Sequence, residues 1–579
     1  MTATVLVGVV ALCVVVLVRV WTVADRTLGD LALIELEVRR AFSPDAPGLG
    51  AYSRFGWRHP GPIVFYLLAL PYRALGSGAQ SLATGAVLLN AGWLLWAVSV
   101  LRLRGTAAVA AFGACLLLMA AGLGVNGIGH AWNVSLTMVP FAVVMISCWA
   151  VLCGDRLARL PAAVGYVFVV HTHVGVGVVA TPLAVATVVL VVAIPELRQR
   201  HRPTRRDLGS AATMALVALA PLLVDAVRRP PGNLVDLVRW SVDNERDVIG
   251  FPSALRLIGR ASSLTFPMRP RPPQFLLWVE TDALGLLPGA FIAAIPVLGI
   301  VAWRRNRREE MLLSIVLGVV WLSGLVAASS VLDPPEWWLV EWLQPLGWMT
   351  VAATAFSVWR LLVRPNVSRT GPFRTIGVGL VASALLVAVI AEVGTNSEFD
   401  DRAMIAVGPV VELSDAVEDA AGGAIVRIDT IDPDFSGENM LAGIVNEVTK
   451  RGVDVCVDDR LAYKFPDDTV CDGDEDVTLL LQTEAIAVEP PDGYRAIAVH
   501  DPLNPTTRRR ADATRAVLVD ALRADDRAEL VGTLDTPLLA EAVLVDAGAA
   551  VATRRDDALW LDAVRERPGL RFGLYLRAP

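Results

Sequence analysis

The chain has 579 residues, 54% of them hydrophobic and 19% charged, with a mean hydropathy of +0.54. Soluble domains carry about 25% charged residues, so this composition excludes an ordinary soluble enzyme, a disordered chain and a nucleic-acid-binding protein. The formal net charge of −7 is unevenly divided: from Thr395 onward 37 Asp and Glu oppose 19 Lys and Arg, a net −18, which leaves 21 acids and 32 bases, a net +11, in residues 1–394. A basic apolar part followed by an acidic polar part reads as a polytopic α-helical membrane domain, residues 1–394, and a soluble α/β domain, residues 395–579.

A helix needs about 20 apolar residues to cross ~30 Å of hydrocarbon. Eleven stretches are predicted to do so: 3–22, 81–101, 106–124, 135–153, 159–170, 174–194, 209–226, 283–303, 311–331, 343–363 and 374–393. Only His171-Thr172-His173 separates the fifth from the sixth. The first apolar run is too long for a cleaved signal, and no small-residue cleavage site follows it. Residues 63–75 are too short to cross, and their Tyr66, Tyr72 and Arg73 suit a helix lying in the interface. Arg102/Arg104, Arg156/Arg159, Arg198 to Arg206, Arg304 to Arg308 and Arg360 to Arg374 fall on one side of this pattern. Basic loops mark the cytoplasm, so the expected topology is a plasma-membrane protein with a cytoplasmic N-terminus. Loops 23–80 and 227–282 and the whole tail are then extracytoplasmic.

Residues 30–41 have helical spacing, with Leu31, Ile34 and Val38 on one face and Asp30, Glu37 and Arg40 elsewhere. Arg54, Arg58 and His59 follow as a cationic cluster suited to oxyanions or lipid headgroups. Trp57 beside them is an interfacial anchor. Four of the six histidines, His59, His130, His171 and His173, fall in loops or at span ends of one face. They can bind phosphate when protonated, or hold a divalent cation (Mg, Mn or Ca) with Asp30; each is equally a hydrogen-bonded structural residue. Asn133 reads as a polar ligand or as the N-cap of the fourth span. In loop 227–282, Arg228, Arg229, Asn233, Arg239 and Trp240 suit either substrate contact or a folded cap. Trp337, Trp338 and Trp342 suit sugar stacking or an aromatic belt.

In the tail, 423–430, 453–458, 477–484 and 494–501 read as strands, and 438–451, 508–528 and 556–567 as helices. Cys456 and Cys471 are its only cysteines and frame a 14-residue loop. In an extracytoplasmic domain they are expected to pair, a bridge worth about 3 kcal/mol in the chain-entropy picture. No phosphate-binding loop, dinucleotide glycine pattern, nucleophile elbow or internal repeat is present.

The first span, the acid-bearing GDLALIELEVRR (29–40) and the stretch HPGPIVFYLLALPYRALG (59–76) together resemble the GT-C glycosyltransferases. That superfamily includes the protein O-mannosyltransferases, the aminoarabinose transferase of lipid A and the mycobacterial arabinofuranosyltransferases. The soluble outward tail resembles the actinobacterial arabinosyltransferases. Two lysines against 49 arginines fit a GC-rich actinobacterial gene. The resemblance implies inverting transfer from a polyprenyl-phosphate sugar to a hydroxyl of an envelope glycan or lipid at the outer face, with arabinofuranose the first choice of sugar and mannose the second. It implies Asp30 as general base, with Glu35 and Glu37 next, and Arg54, Arg58 and His59 at the donor phosphate. His130, Asn133, His171, His173 and Asn233 become substrate contacts, and Asp30 with His59 the metal ligands. A flippase for envelope lipids and a noncatalytic assembly protein are the alternatives. The lack of a repeat and the gathering of acids and histidines at the surface favour interfacial chemistry.

Overall fold

A computed structural model describes residues 1–23, 26–243, 247–261, 287–332, 337–362, 378–387, 408–430, 435–484, 490–501, parts of 506–524, and 571–577. The chain forms two compact units. Met1–Thr22 and Arg40–Asn396 make the first; Val23–Arg39 and Ser397–Pro579 make the second.

The described helices of the first unit begin with α1 (Thr2–Val23); after α2 (Gly29–Arg40) come α3 (Ile63–Ala74), α4 (Ala79–Leu101) and α5 (Thr106–Leu123). They continue with α6 (Met138–Leu152), α7 (Arg159–Thr172), α8 (Val174–Ala193) and α9 (Arg205–Arg228). Then follow α10 (Asn233–Asp243), α11 (Gly250–Ala261), α12 (Leu287–Arg304), α13 (Arg308–Ser329) and α14 (Leu343–Leu362). α15 (Val378–Val387) is the last described helix of the unit. α6 is apolar on every side and buried along its whole length, as a helix surrounded by others must be. α4, α7, α8, α13 and α14 pack around it. α9 is equally apolar over most of its length but exposed, with Leu216, Leu219, Leu223 and Val227 outward; an exposed apolar face of this size suits hydrocarbon.

Among the described residues, seven helices are long and apolar enough to cross a membrane: Thr2–Thr22, Ala79–Arg104, Thr106–Leu123, Ser135–Leu152, Val174–Ala193, Arg205–Arg228 and Arg308–Ser329. The stretches 159–170, 283–303, 343–363 and 374–393 fall on α7, α12, α14 and α15, outside that set. The short interfacial stretch is α3, and Phe65, Leu68 and Tyr72 bury it against α4 and α7.

The basic clusters meet at one end of the bundle. Arg104 pairs with Asp155 at 2.8 Å and Glu309 at 3.3 Å, and Arg360 reaches the buried Glu310 at 2.9 Å. Arg159 pairs with Asp207, and Arg308 with Glu196, both at 2.8 Å. α7 starts at this end, and α8 returns to it. The His171–His173 junction between them therefore lies at the opposite end. Trp342 departs from the aromatic-belt expectation: it is buried under Gly324, and its indole donates to the Leu339 carbonyl at 3.0 Å.

The second unit is built on a five-stranded sheet of order β2-β1-β3-β5-β4, from β1 (Val426–Thr430), β2 (Val455–Val457), β3 (Val477–Glu484), β4 (Tyr494–His500) and β5 (Arg571–Arg577). β1 is parallel to β2 and β3, while β5 runs antiparallel between β3 and β4. α16 (Gly408–Ala421) and α17 (Phe435–Lys450) pack on it. The four expected strands are present. β5 and α16 are additions, and the expected helix 556–567 lies outside the described residues. Cys456 and Cys471 form a disulfide. Beside it Arg427 is held by Asp429, Asp458 and Glu475. Hydrogen bonds from the Arg460 amide and guanidinium hold the Asp458 carboxyl below its ordinary range.

The expected boundary at 394/395 is close to the one found, but 23–39 joins the tail instead of the membrane domain. The cause is one stripe of α17, where Asn439, Gly443, Asn446 and Lys450 recur at helical spacing. A Cβ on Gly443 would lie 2.7 Å from Leu28 Cδ2 and 3.2 Å from the Thr27 carbonyl oxygen, so a larger residue would have to displace both. Asn446 and Lys450 both reach Glu35, and Arg39 donates to Asn446 and Thr449.

Candidate functional site

The candidate residues fall into two sets, one in each unit. In the second unit α2 carries the three acids. Gly29 opens the helix at φ +52°, with the Asn439 side chain where a Cβ would stand. Asp30 follows in the first turn, where the helix dipole favours a carboxylate. It is half-buried, and its charge acts on the phenol of Tyr463.

Glu35 and Glu37 are buried. Glu35 is fully enclosed: Lys450 Nζ meets Oε1 at 2.6 Å, while Thr27 Oγ1 and Asn446 Nδ2 donate to Oε2 at 2.5 and 2.7 Å. A carboxylate so committed has no oxygen left for an incoming hydroxyl, and its position is that of a tie between α2 and α17. Of the three acids, Asp30 has the most open side chain. Asp25, a further acid at the membrane end of the first span that the sequence offers as a base, lies outside the described residues.

In the first unit residues 50–59 form a small β-hairpin. Gly50 donates to His59 O, His59 to Ala51 O and Ser53 to Trp57 O. The hairpin carries Arg54, Arg58 and His59, with Phe55 and Trp57 between them. Arg54 lies over the Phe55 ring at 5.0 Å, and Phe55 stacks on Trp240 of α10 at 4.5 Å. Asn233 clips the hairpin to α10 by accepting from the Arg58 amide at 2.6 Å and donating to the Arg58 carbonyl at 2.7 Å. Asp225 of α9 accepts from the Asn233 amide at 2.6 Å. Asn233, expected as a substrate contact, thus spends its side chain on orienting Arg58.

His59 takes the Val174 amide proton on Nδ1 at 3.2 Å, which leaves its Nε2 as the protonated nitrogen. Its ring lies 4.7 Å from that of His173. His171 bonds the Ala218 carbonyl at 3.1 Å and backs onto Gly61, where any Cβ would collide with its ring. Asn133 donates to the Thr172 carbonyl at 3.3 Å. The structure thus gathers His59, His171, His173 and Asn133 at the bundle end opposite the basic clusters. His130 packs edge-on against Trp132 instead. The Trp57 Nε1, His173 Nδ1 and Thr172 Oγ1 atoms are buried without a hydrogen-bond partner.

Burial pushes the His173 imidazole down to about 4, and burial with the nearby His173 holds His59 well below the ordinary histidine value of about 6.5. Both are neutral at pH 7, so neither offers a protonated imidazole to an oxyanion. Because the folded state disfavours the protonated forms, stability is full above about 6.5 and is lost as pH falls toward about 4. Thermal unfolding should therefore shift down across that window, and a His173→Gln variant should lose part of the slope.

Of the two residues expected as metal ligands, Asp30 belongs to the second unit and His59 to the first. His59 Nδ1 is occupied by the Val174 amide. Among the described residues the one cluster with metal-ligand spacing is Cys456, Cys471 and Glu475, and its sulfurs are bonded to each other.

Lys450, Asn446, Asp225 and Tyr463 also belong to these sets, although no short-range motif marks them. No family model matches the chain, and no curated protein matches it. Among solved structures, ArnT from Cupriavidus metallidurans in the apo state is similar at 14% identity and a TM-score of 0.49, over 85% of this chain and 96% of that one. The same protein bound to undecaprenyl phosphate is similar at 15% identity and a TM-score of 0.49, over 86% of this chain and 96% of that one.

Proposed function

We propose that the chain is an inverting glycosyltransferase of the GT-C type, which moves a sugar from a polyprenyl-phosphate donor to a hydroxyl of an envelope glycan or lipid outside the plasma membrane. The observation that carries this reading is the cationic hairpin. Arg54, Arg58 and His59 stand on one turn, fixed through Asn233 and Val174 to the first residues of α10 and of the apolar α8. A lipid phosphate sits at that depth, because its chain must stay in hydrocarbon while its headgroup stays in water. Arginine forks suit bidentate contact with phosphate oxygens, and a neutral His59 Nε2–H adds a donor.

The chemistry follows from these roles. Asp30 accepts the proton of the acceptor hydroxyl as that oxygen bonds to the anomeric carbon. The bond from the anomeric carbon to the phosphate oxygen breaks, and its electron pair leaves with the lipid phosphate, whose charge the hairpin stabilises. The activated donor makes a covalent enzyme intermediate unnecessary. Arabinofuranose is the first sugar to test and mannose the second.

The test is a panel of polyprenyl-phosphate sugars incubated with the purified protein, with free polyprenyl phosphate as the product measured. Arg58→Ala should weaken donor affinity roughly 10-fold or more, the loss expected of a charge-assisted contact worth about 1.5–3 kcal/mol. Release of polyprenyl phosphate from no donor in the panel would reject the assignment. Unchanged donor affinity in Arg58→Ala would remove Arg58 from the phosphate site.

A further inference from the structure

The second unit carries a group of side chains that the transfer chemistry leaves unused. In open α/β sheets, ligands bind beyond the carboxyl ends of the parallel strands, where the connections diverge. β1 and β2 are parallel neighbours, so both end at one edge. The chain leaving β1 leads to α17, whose first turns carry Glu438 and Asn439. The chain leaving β2 passes Asp459–Leu461 to Tyr463 and Lys464. The start of α2 lies against this edge, because Asn439 fills the space beside Gly29 and Asp30 acts on Tyr463.

Lys464 is the unusual member. Its side chain is 1% exposed, and its ammonium meets Glu438 Oε2 at 3.1 Å. A buried charge is costly unless paired, yet its partner Glu438 is 22% exposed. Tyr463 donates to the same oxygen at 3.4 Å. Glu438 is thus aimed from behind by two donors while its outer side meets solvent. Lysine occurs at only two positions in this chain, 450 and 464, against 49 arginines. Both are bonded to glutamates that adjoin α2 or the edge it meets. A compact ammonium on a flexible stem suits such enclosed places better than a guanidinium fork does.

We propose that Glu438, Asn439 and Tyr463 hold the acceptor saccharide beside Asp30, with Lys464 as the residue that positions Glu438. This rests on the glycosyltransferase reading and gives its acceptor a place. A carboxylate and an amide recognise adjacent sugar hydroxyls as acceptor and donor, and the Tyr463 ring offers a face to the sugar's C–H groups. Burial and the Glu438 charge push the Tyr463 phenol up to about 12, so it remains an O–H donor at neutral pH.

The experiment uses the full chain in lipid nanodiscs, with methyl α-D-arabinofuranoside and methyl α-D-mannopyranoside as probes read by saturation-transfer NMR. Wild type should bind at least one glycoside. Glu438→Gln and Tyr463→Ala should each weaken binding about 10-fold, the scale of one charged hydrogen bond. Asp30→Asn should keep glycoside binding while losing transfer. Lys464→Met should raise the acceptor KM and leave the donor KM unchanged, and Lys464→Arg should restore part of the loss.

Hydrogen exchange of β1 and β2 separates folding from binding, and Tyr463→Phe supplies a milder variant if Tyr463→Ala proves unstable. Wild type that binds neither glycoside, or folded variants that bind as wild type does, would overturn the inference. Glycoside binding that depends on Glu438, in a protein that releases polyprenyl phosphate from no donor, would uphold the saccharide site and reject the transferase reading.

Discussion

Asp30→Asn should lower kcat by about 10²–10⁴-fold, the usual cost of removing a general base, while donor affinity stays near the wild-type value. The substitution keeps the shape of the side chain and removes only its basicity. Asp30 is the acid to test first because the structure distinguishes it from its neighbours. It sits half-buried in the first turn of α2, whereas Glu35 is enclosed and hydrogen-bonded on both oxygens. Single-turnover assays with a polyprenyl-phosphate sugar would separate chemistry from binding. A folded Asp30→Asn protein that transfers sugar at the native rate would show that Asp30 is not the base. Glu37→Gln would then be the next variant, as the remaining acid of α2 once Glu35 is committed to the tie with α17.

The elements are legible where periodicity and length speak for themselves. The apolar runs that form α1, α4, α5, α6, α8, α9 and α13 need only a count of residues. The strands of the tail alternate or run apolar between turns, and the cysteine pair lies in one short loop. β5 is not legible, because Arg571–Arg577 has little to mark it in isolation. Its place comes from pairing with β3 and β4, more than 70 residues earlier in the chain.

The candidate site is legible in its residue types but not in their jobs. Arg54, Arg58, His59, His171 and His173 stand out because cations and histidines are sparse at span ends. That Asn233 serves the Arg58 backbone, and that burial neutralises the histidines, depends on packing between segments more than 100 residues apart. The largest departure from expectation is the grouping of 23–39 with the tail. Nothing local in 23–39 says that it packs on a helix more than 400 residues later in the chain. The only sequence signal for that pairing is the rarity of lysine, which singles out Lys450 and Lys464 by composition alone.

Lys450→Met should loosen α2 from α17 by roughly 3 kcal/mol, the low end of the cost of breaking a buried ion pair on one side. The low end applies because Thr27 and Asn446 still donate to Glu35, and because Lys450 itself is 21% exposed. Native-state hydrogen exchange of the α2 amides in the full chain is the direct measure, since it reports opening of this helix without requiring global unfolding. Glu35→Gln should cost less: the amide stays the same size, but it presents one acceptor oxygen where the carboxylate presents two. The double variant is decisive. If the pair acts as a unit, Glu35→Gln with Lys450→Met should be less harmful than the sum of the two, since neither leaves the other's charge buried alone. Simple additivity would instead mean that Lys450 stabilises α17 without reference to Glu35. Transfer activity gives an independent readout. Asp30 rides on the same helix as Glu35, so a Lys450→Met enzyme should lose kcat at unchanged donor affinity, and Lys450→Arg should restore some of it. Protection of α2 that is unaltered in Lys450→Met would show that its attachment to α17 depends on the Leu28–Gly443 contact and the Arg39 bonds, with the buried charge pair adding nothing.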